Sequence, residues 1–89
     1  MHCVQGYVSG RVQGVGFRYF VMRHAEAAGI AGFVRNLGDG RVEFLLQGEP
    51  AAVERVLTQI HTGPSYARVS SVELKDQAEA FGGSEFVIR

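Results

Sequence analysis

A glycine-rich loop followed by an arginine is the stretch of this 89-residue chain whose residue types and spacing could do chemistry. Residues 10–18 read GRVQGVGFR and join a strand-like run to a helix-like run. Glycines at positions 14 and 16 allow neighbouring main-chain N–H groups to converge on one point without obstruction by a Cβ atom. No Ser, Thr, Asp or Asn stands between Val12 and Arg18 to cap the free N–H groups of the helix. The segment therefore offers several unpaired donors at one place.

Arg18 adds a cation to a helix N-terminus, where the helix dipole already places about half a positive charge. A cation in the first turn is mildly unfavourable by itself, but an anion held by the loop would reverse that balance. A planar guanidinium can also bind two oxygens of one phosphate. The pattern predicts a receptacle for a phosphate-like group, formed by Gln13, Gly14, Val15, Gly16, Phe17 and Arg18. The simpler alternative is an exposed arginine after a turn that needs positive φ angles.

Asn36 is the second polar residue that invites a chemical explanation, because asparagine is depleted in strands. It stands just before Gly38-Asp39-Gly40, so its side chain could simply bond a main-chain group of that turn. Alternation along the strand instead places Asn36 on the face of Val34, the natural core-facing residue. An amide there could meet a ligand held by the first helix's N-terminus. Arg35 points to the opposite face and is expected to be solvated.

Other kinds of chemical site find little support in the sequence. Neither Gly-x-x-x-x-Gly-Lys-Ser/Thr nor the glycine spacing of dinucleotide-binding loops is present. The three histidines, His2, His24 and His61, lack metal-ligand spacing. No Ser-His-Asp pattern or spaced carboxylate pair stands out either. We therefore expect no metal and no cofactor, and we expect Cys3 to be a small strand residue remote from the glycine loop.

Charge and composition narrow the class of partner. Nine basic and nine acidic residues cancel, and the arginines are scattered, so a nucleic-acid-binding surface is not expected. The first residues show no basic segment followed by an apolar one, and no apolar run approaches the roughly 20 residues that span a bilayer. A single cysteine excludes an intrachain disulfide. We expect a cytoplasmic monomer that acts on a small molecule and binds neither nucleic acid nor membrane.

The apolar periodicity predicts one domain, residues 1–89, with the element order β-α-β-β-α-β and a short final strand. The strands are expected at 4–12, 31–37, 41–47, 67–75 and 86–88, and the helices at 17–28 and from Pro50 to the Gly63-Pro64 stop. The valines of the fourth strand break strict alternation, which predicts a bulge or a kink. This order is that of the ferredoxin-like α+β sandwich, an antiparallel sheet with both helices on one face. Because many functions share that fold, only the site can indicate the activity.

The two segments that carry these polar residues closely resemble the signatures of the acylphosphatase family. Residues 10–18 resemble the first signature, and residues 32–43, GFVRNLGDGRVE, resemble the second. Gly63-Pro64, the run at 67–69 and the closing FVIR of residues 86–89 are also similar to the family's pattern. The resemblance therefore spans almost the whole chain, and the two signatures at this separation are specific.

This resemblance implies hydrolysis of an acyl phosphate, at its carboxyl-phosphate bond, to a carboxylate and inorganic phosphate without metal or cofactor. It implies that Arg18 binds the phosphoryl group and that Asn36 orients the attacking water. Inorganic phosphate is then the product and an expected competitive inhibitor. One alternative is a non-catalytic module that binds phosphate or another small anion. Another is a detached copy of the related domain that opens larger carbamoyl-phosphate-using maturation proteins. The end of the chain at Arg89, with no zinc-finger cysteines after it, favours a free-standing protein.

Overall fold

Two helices and five strands make up the part of the chain that the computed structural model describes, residues 1–75 and 79–89. The strands are β1 (His2–Arg11), β2 (Ala31–Asn36), β3 (Val42–Gly48), β4 (Arg68–Leu74) and β5 (Phe86–Ile88), and the helices are α1 (Phe17–Ala27) and α2 (Pro50–Thr62). The order of strands in the sheet is β4-β1-β3-β2-β5. This is the predicted ferredoxin-like α+β layout, and every expected element is present within two residues of its expected bounds.

The sheet differs from the predicted antiparallel sheet at one edge. β1 pairs antiparallel with β3 and β4, and β2 pairs antiparallel with β3, as predicted. β5 pairs with β2 in parallel, with Phe86 beside Gly32 and Ile88 beside Val34. A parallel neighbour needs a long crossover, which the chain supplies through β3, α2 and β4. The sheet is therefore mixed, and β5 ends beside the strand that carries Asn36.

A bulge between β1 and β4 bends the strand that leads into the glycine loop. The register slips between Ser9 and Gly10 of β1, which leaves Ser70 of β4 as the extra residue. This confirms the bulge predicted from the broken alternation of β4. Gly10 is required here, because its φ is +122° and a Cβ atom would lie 2.1 Å from the Arg68 carbonyl oxygen.

Apolar side chains of both helices pack on one face of the sheet. α1 and α2 have 11 and 13 residues, and no helix of the described residues is long and apolar enough to cross a membrane. α2 buries Val53, Val56, Leu57 and Ile60, an apolar stripe at the i, i+3, i+4, i+7 spacing of a helix, together with Ala52. α1 buries Phe17, Val21 and Ala25. These side chains form one core with residues of the sheet, among them Val8, Val34, Val42, Phe44 and Leu46.

The other face of the sheet carries a smaller buried cluster that alternation does not predict. Glu43 and Leu45 of β3 point to this face, and each is only 4% exposed. Phe81 lies on this face beside Leu45: its N–H donates to Oε1 of Gln47 at 2.8 Å, and its ring centroid is 6.3 Å from that of Phe33. The cover comes from a segment 34 residues further along the chain than Gln47. A strand's own sequence pattern therefore gives no sign of it.

Candidate active site

A cavity of about 210 Å³ lies where the loop after β1, the first turn of α1 and the end of β2 meet. β1 and β2 both run antiparallel to β3, so their C-terminal ends lie at the same edge of the sheet. The glycine loop follows one of these ends, and Asn36 forms the other. The residues that line the cavity are Val12, Gly14, Gly16, Phe17, Arg18, Tyr19, Asn36 and Ile88. The sheet thus brings together the two polar residues that the sequence singled out.

The glycine loop has a conformation that other residues adopt rarely. Gly14 and Gly16 have φ angles of +75° and +78°, whereas Val15 between them has no positive φ. A Cβ atom on either glycine would meet no atom within 4 Å, so glycine is needed for its backbone freedom and not for space. Val15 packs against the main core, and this contact fixes the position of the loop. Such alternating conformations turn neighbouring N–H groups toward a common point.

The first turn of α1 keeps its main-chain donors unpaired. Gly16 is the N-cap residue, no side chain caps the helix, and no acidic residue lies in its first turn. The first helical hydrogen bond runs from the N–H of Phe20 to the carbonyl oxygen of Gly16 at 3.0 Å. Within residues 1–75 and 79–89, no N–H of residues 14 to 19 donates to a main-chain carbonyl. The positive end of the helix dipole therefore faces the cavity without an internal counter-charge.

Arg18 stands in this first turn with its side chain exposed at the cavity. Its neighbour Phe17 is buried in the core, which holds the helix end in place. The ion pairs of the described residues join Arg35 to Glu43 and Arg41 to Asp39, so Arg18 takes part in neither. A guanidinium with no carboxylate partner keeps its donors for a ligand.

Asn36 ends β2 opposite Val42 of β3. It lines the cavity on the side of the sheet where Val34 is fully buried, which confirms the face predicted by alternation. The Oδ1 atom of Asn36 is buried and accepts no hydrogen bond from any described residue. An unpaired buried acceptor destabilises the fold by about 1–3 kcal/mol, and buried polar atoms of this kind are rare. A donor that enters the cavity, such as a water molecule, could satisfy this oxygen.

Gln13 joins the glycine loop to the β2–β3 hairpin. Its Nε2 donates to the carbonyl oxygens of Leu37 at 2.7 Å and Arg41 at 2.9 Å. Since Leu37 directly follows Asn36, the two hydrogen bonds fix the loop relative to the residue that bears the unpaired amide oxygen. The sequence predicts Gln13 among the phosphate-binding residues, but its side-chain donors are directed to protein carbonyls and it does not line the cavity.

The cavity contains part of the predicted site and three residues that were not predicted for it, Val12, Tyr19 and Ile88. Arg18 and Asn36 line it, as do Gly14, Gly16 and Phe17, whereas Val15 and Gln13 do not. Val12 is a buried core residue, whereas Tyr19 and Ile88 are 58% and 40% exposed. Tyr19 could have been found, because it follows Arg18 on the first turn of the helix. Ile88 has no local signal, because only the parallel pairing of β5 with β2 brings it there.

Arg35 lies on the face opposite Val34 and keeps 48% of its side chain exposed, as the sequence predicts. Its ion pair was not predicted: the Arg35 Nε lies 2.5 Å from Oε1 of Glu43. The Nε2 of Gln5 donates to the other carboxylate oxygen of Glu43 at 2.8 Å. Because the Glu43 carboxylate is buried, its charge needs these donors, and the ion pair holds the Arg35 side chain against the sheet.

Asp39 is explained by the hairpin turn, as predicted. The Arg41 N–H donates to Oδ1 of Asp39 at 3.1 Å, and the Arg41 Nε lies 2.8 Å from Oδ2. Hydrogen bonding from the Arg41 main chain, followed by its side chain, lowers the pKa of the Asp39 carboxyl group. Asp39 therefore serves the turn, and it does not line the cavity.

The side chains of the cavity offer no acid–base pair. Apart from Arg18 and Tyr19, none of its lining residues is titratable. In the described ranges no group of three or more His, Cys, Asp or Glu residues could hold a metal ion. His24 lies outside the cavity, edge-on to Phe20 with ring centroids 4.6 Å apart. Burial raises the pKa of the Cys3 thiol, and its Sγ lies 3.4 Å from a carbonyl oxygen of residue 79.

Comparison of sequences identifies relatives of this chain. Residues 4–88 match the family model for acylphosphatase. An acylphosphatase of Rubrobacter xylanophilus is 46% identical over 86 residues, which cover 97% of this chain and 78% of that protein. An acylphosphatase of Chromohalobacter salexigens is 52% identical over 77 residues, which cover 86% of this chain and 84% of that protein.

Comparison of structures gives the same result. The crystal structure of acylphosphatase from Bacillus subtilis matches with a TM-score of 0.93 and 36% identity, over 100% of this chain and 99% of that one. The structure of HypF from Thermococcus kodakarensis matches with a TM-score of 0.85 and 31% identity, over 100% of this chain but 12% of that one. The likeness extends to a structure of similar length and to part of a much longer chain.

Proposed function

The chain belongs to the acylphosphatase family, and we propose that Arg18, the loop N–H groups and Asn36 carry out the reaction of that family. The reaction is hydrolysis of the carboxyl-phosphate bond of an acyl phosphate to a carboxylate and inorganic phosphate. The family model covers residues 4–88, and relatives of 46% and 52% identity bear the same name. The assignment of roles to individual residues is built from the geometry of the cavity.

In this proposal the phosphoryl group occupies the cavity beside Arg18 and the glycine loop. The transition state of phosphoryl transfer is loose, with negative charge spread over the equatorial oxygens. The guanidinium of Arg18 binds two of these oxygens, and N–H groups of residues 14 to 18 bind the rest. Support comes from the donors themselves, because neither Arg18 nor this stretch of main chain has a protein acceptor among the described residues.

Asn36 positions the attacking water. Its unpaired Oδ1 accepts a hydrogen bond from the water, which satisfies the buried oxygen and directs a lone pair of the water toward phosphorus. Holding the nucleophile in line in this way lowers the entropic part of the barrier. The hydrogen bonds of Gln13 to the hairpin keep the phosphate loop and Asn36 in a fixed relation.

The leaving group explains how so few residues suffice. A carboxylate is weakly basic and departs without a proton, so the site needs no general acid. The proton of the water passes to a phosphoryl oxygen of the substrate, since the residues lining the cavity include no histidine or carboxylate. We expect kcat/KM to stay flat from pH 5.5 to 7.5, measured by phosphate release. A bell-shaped profile centred on the histidine range would show that a protein base takes part.

The observation that carries the proposal is the single cavity shared by Arg18, the uncapped glycine loop and the unpaired amide oxygen of Asn36. The test is hydrolysis of benzoyl phosphate by the wild type and by Arg18→Ala and Asn36→Ala. If Arg18→Ala stays within about threefold of wild type, a loss of about 0.7 kcal/mol, Arg18 does not bind the phosphoryl group in the transition state. A protein that only binds anions would bind phosphate saturably without releasing it from the substrate.

Three finer properties belong to the same proposal. Inorganic phosphate competes with the substrate, because both use Arg18 and the loop N–H groups. The protein acts as a monomer, since one sheet edge with its adjoining loop and helix supplies every residue of the proposed site. It works in the cytoplasm, consistent with a single cysteine and no intrachain disulfide. Inhibition kinetics with phosphate and size-exclusion chromatography at micromolar concentration test the first two.

A further inference from the structure

A second and larger cavity adjoins the catalytic one. It measures about 480 Å³, against about 210 Å³ for the catalytic cavity. Gly16 and Tyr19 line both cavities, so the two meet at the first turn of α1. We call the second cavity the α1 groove, and its lining residues are Gly16, Tyr19, Phe20, Arg23, His24, Ala27 and Pro64.

The α1 groove follows one side of the helix away from the phosphate loop. Its lining positions on α1 recur every three or four residues, which places them on one flank of the helix. From Gly16 to Ala27 this flank is about 16 Å long at about 1.5 Å per residue. At the junction stands Gly16, where a Cβ atom would meet nothing within 4 Å. The absence of a side chain at position 16 leaves the passage between the two cavities open.

The lining of the α1 groove has the chemistry of an apolar binding site. Tyr19 leaves 58% of its surface exposed although it is a large aromatic residue. Phe20 stands edge-on to His24 with ring centroids 4.6 Å apart. The Arg23 guanidinium carbon lies 5.8 Å from the centre of the Tyr19 ring, which holds this ring at the rim. Among the described residues no carboxylate lines the groove, and four of its seven lining residues are Tyr19, Phe20, Ala27 and Pro64.

We propose that the α1 groove binds the acyl group of the substrate, with Tyr19 as the specificity-determining residue. This inference rests on the proposed function, because it takes the phosphoryl group to lie beside Arg18. A substrate held there by its phosphoryl group directs its acyl group past Gly16, the open side of the loop. The substrate class is then acyl phosphates with an aromatic or extended aliphatic acyl group. Apolar contacts remote from the reacting bond raise kcat/KM when they persist in the transition state.

The first test compares benzoyl phosphate with acetyl phosphate, whose acyl group is too small to enter the groove. We expect Tyr19→Ala to lower the ratio of the two kcat/KM values by about fivefold, because the benzoyl ring loses its aromatic contact. Tyr19→Phe keeps the ring and should keep the ratio. Tyr66→Ala is the matched control, since Tyr66 is 82% exposed and lines neither cavity. A ratio in Tyr19→Ala within 1.5-fold of wild type, taken as about the error of such ratios, would overturn the proposal.

The second test uses straight-chain acyl phosphates of increasing length. In the wild type we expect kcat/KM to rise by about two- to fourfold per added methylene until the groove is filled. Ala27→Phe places a ring at the far end of the groove and should end this rise at a shorter chain. Ala51→Phe, on an exposed position of α2, should leave the series unchanged. No dependence on chain length in the wild type would contradict an acyl site in the groove.

The two tests separate this inference from the proposed function. Turnover of acetyl phosphate that depends on Arg18, with equal kcat/KM for all acyl groups and no effect of Tyr19→Ala, overturns the acyl site alone. Failure of the wild type to hydrolyse any of these substrates overturns the proposed function and the acyl site with it.

Discussion

The two faces of the sheet hold their polar groups in opposite ways. On the face away from the helices, the buried carboxylate of Glu43 receives hydrogen bonds from Gln5 at 2.8 Å and from Arg35 at 2.5 Å. At the cavity on the other side, Oδ1 of Asn36 accepts no hydrogen bond from a described residue, and Arg18 joins neither ion pair of the described chain. Each region contains an arginine and a side-chain oxygen, which is a carboxylate oxygen in Glu43 and an amide oxygen in Asn36. Only the groups around Glu43 are hydrogen-bonded to one another.

This difference shows how polar groups divide between stability and function. Buried polar atoms that bond one another contribute to the folded state, and removing one leaves its partner unpaired. A buried polar atom without an internal partner lowers stability, and only a ligand can supply the missing hydrogen bond. The Glu43 cluster should therefore respond to mutation through stability, and the cavity of Arg18 and Asn36 through rate.

The largest expected effect is that of Arg18→Ala. We expect kcat/KM for benzoyl phosphate to fall about 1,000-fold, near 4 kcal/mol, because Arg18 binds charge that develops in the transition state. Unfolding in urea should show unchanged stability, since Arg18 is exposed and forms no ion pair with a described residue. Arg35→Ala is the matched variant on the other face, with lower stability and kcat/KM within threefold of wild type. Equal losses of kcat/KM in both variants would contradict the assignment of stability to the Glu43 face and of catalysis to the cavity.

Asn36→Ala comes next, with an expected fall in kcat of about 100-fold, because the water loses its positioning group. Its stability should be unchanged or slightly higher, since the variant removes an unpaired buried oxygen. The inhibition constant for phosphate should stay close to the wild-type value, because Arg18 and the loop remain. Kinetics with added phosphate and urea unfolding check these points. A marked loss of stability would mean that Asn36 is structural.

Glu43→Gln tests the hydrogen-bonded group of Glu43, Gln5 and Arg35. We expect the free energy of unfolding to fall by about 1–2 kcal/mol, because residue 43 loses its charge attraction to Arg35 and keeps one acceptor oxygen for two donors. The loss is limited because the Arg35 side chain is 48% exposed and regains water. Urea unfolding measures this change, and kcat/KM of the folded variant should match the wild type. A selective loss of rate at full stability would place Glu43 in the catalytic system.

Gln13→Leu should lower kcat/KM by about tenfold, less than Arg18→Ala or Asn36→Ala, because it acts on the reaction only through the position of the loop. The variant keeps the size of the side chain but loses both hydrogen bonds that hold the phosphate loop to the hairpin. Gln47→Leu is a close control, because Gln47 also bridges two main-chain groups, the N–H and the carbonyl of Phe81. Both variants should lose similar stability in urea. Equal losses of activity in the two variants would show that the hydrogen bonds of Gln13 do not act specifically by positioning the phosphate loop.

Much of the fold could be predicted from residue types near one another in sequence. The stripe of α2, the glycine after α1 and the alternation of β3 are local patterns, and the structure confirms the elements they predict. The bulge in β4 was also predictable, because it disturbs that strand's own alternation. The parallel position of β5 and the contacts of Phe81 with Gln47 and Phe33 were not, because they depend on chain segments far apart in sequence.

The candidate site, like the fold, has a part that local sequence predicts and a part that depends on tertiary contacts. Residue chemistry alone pointed to Arg18, to the glycines of the loop and to Asn36, because their types are unusual at their places in a helix, a turn and a strand. Tertiary structure decided that these residues meet in one cavity and that Tyr19 and Ile88 also line it. It also decided that the Gln13 side chain bonds to the hairpin. The physical reason is that local conformation follows from neighbouring residues. Which donors find an internal partner depends instead on strand pairing across the whole sheet.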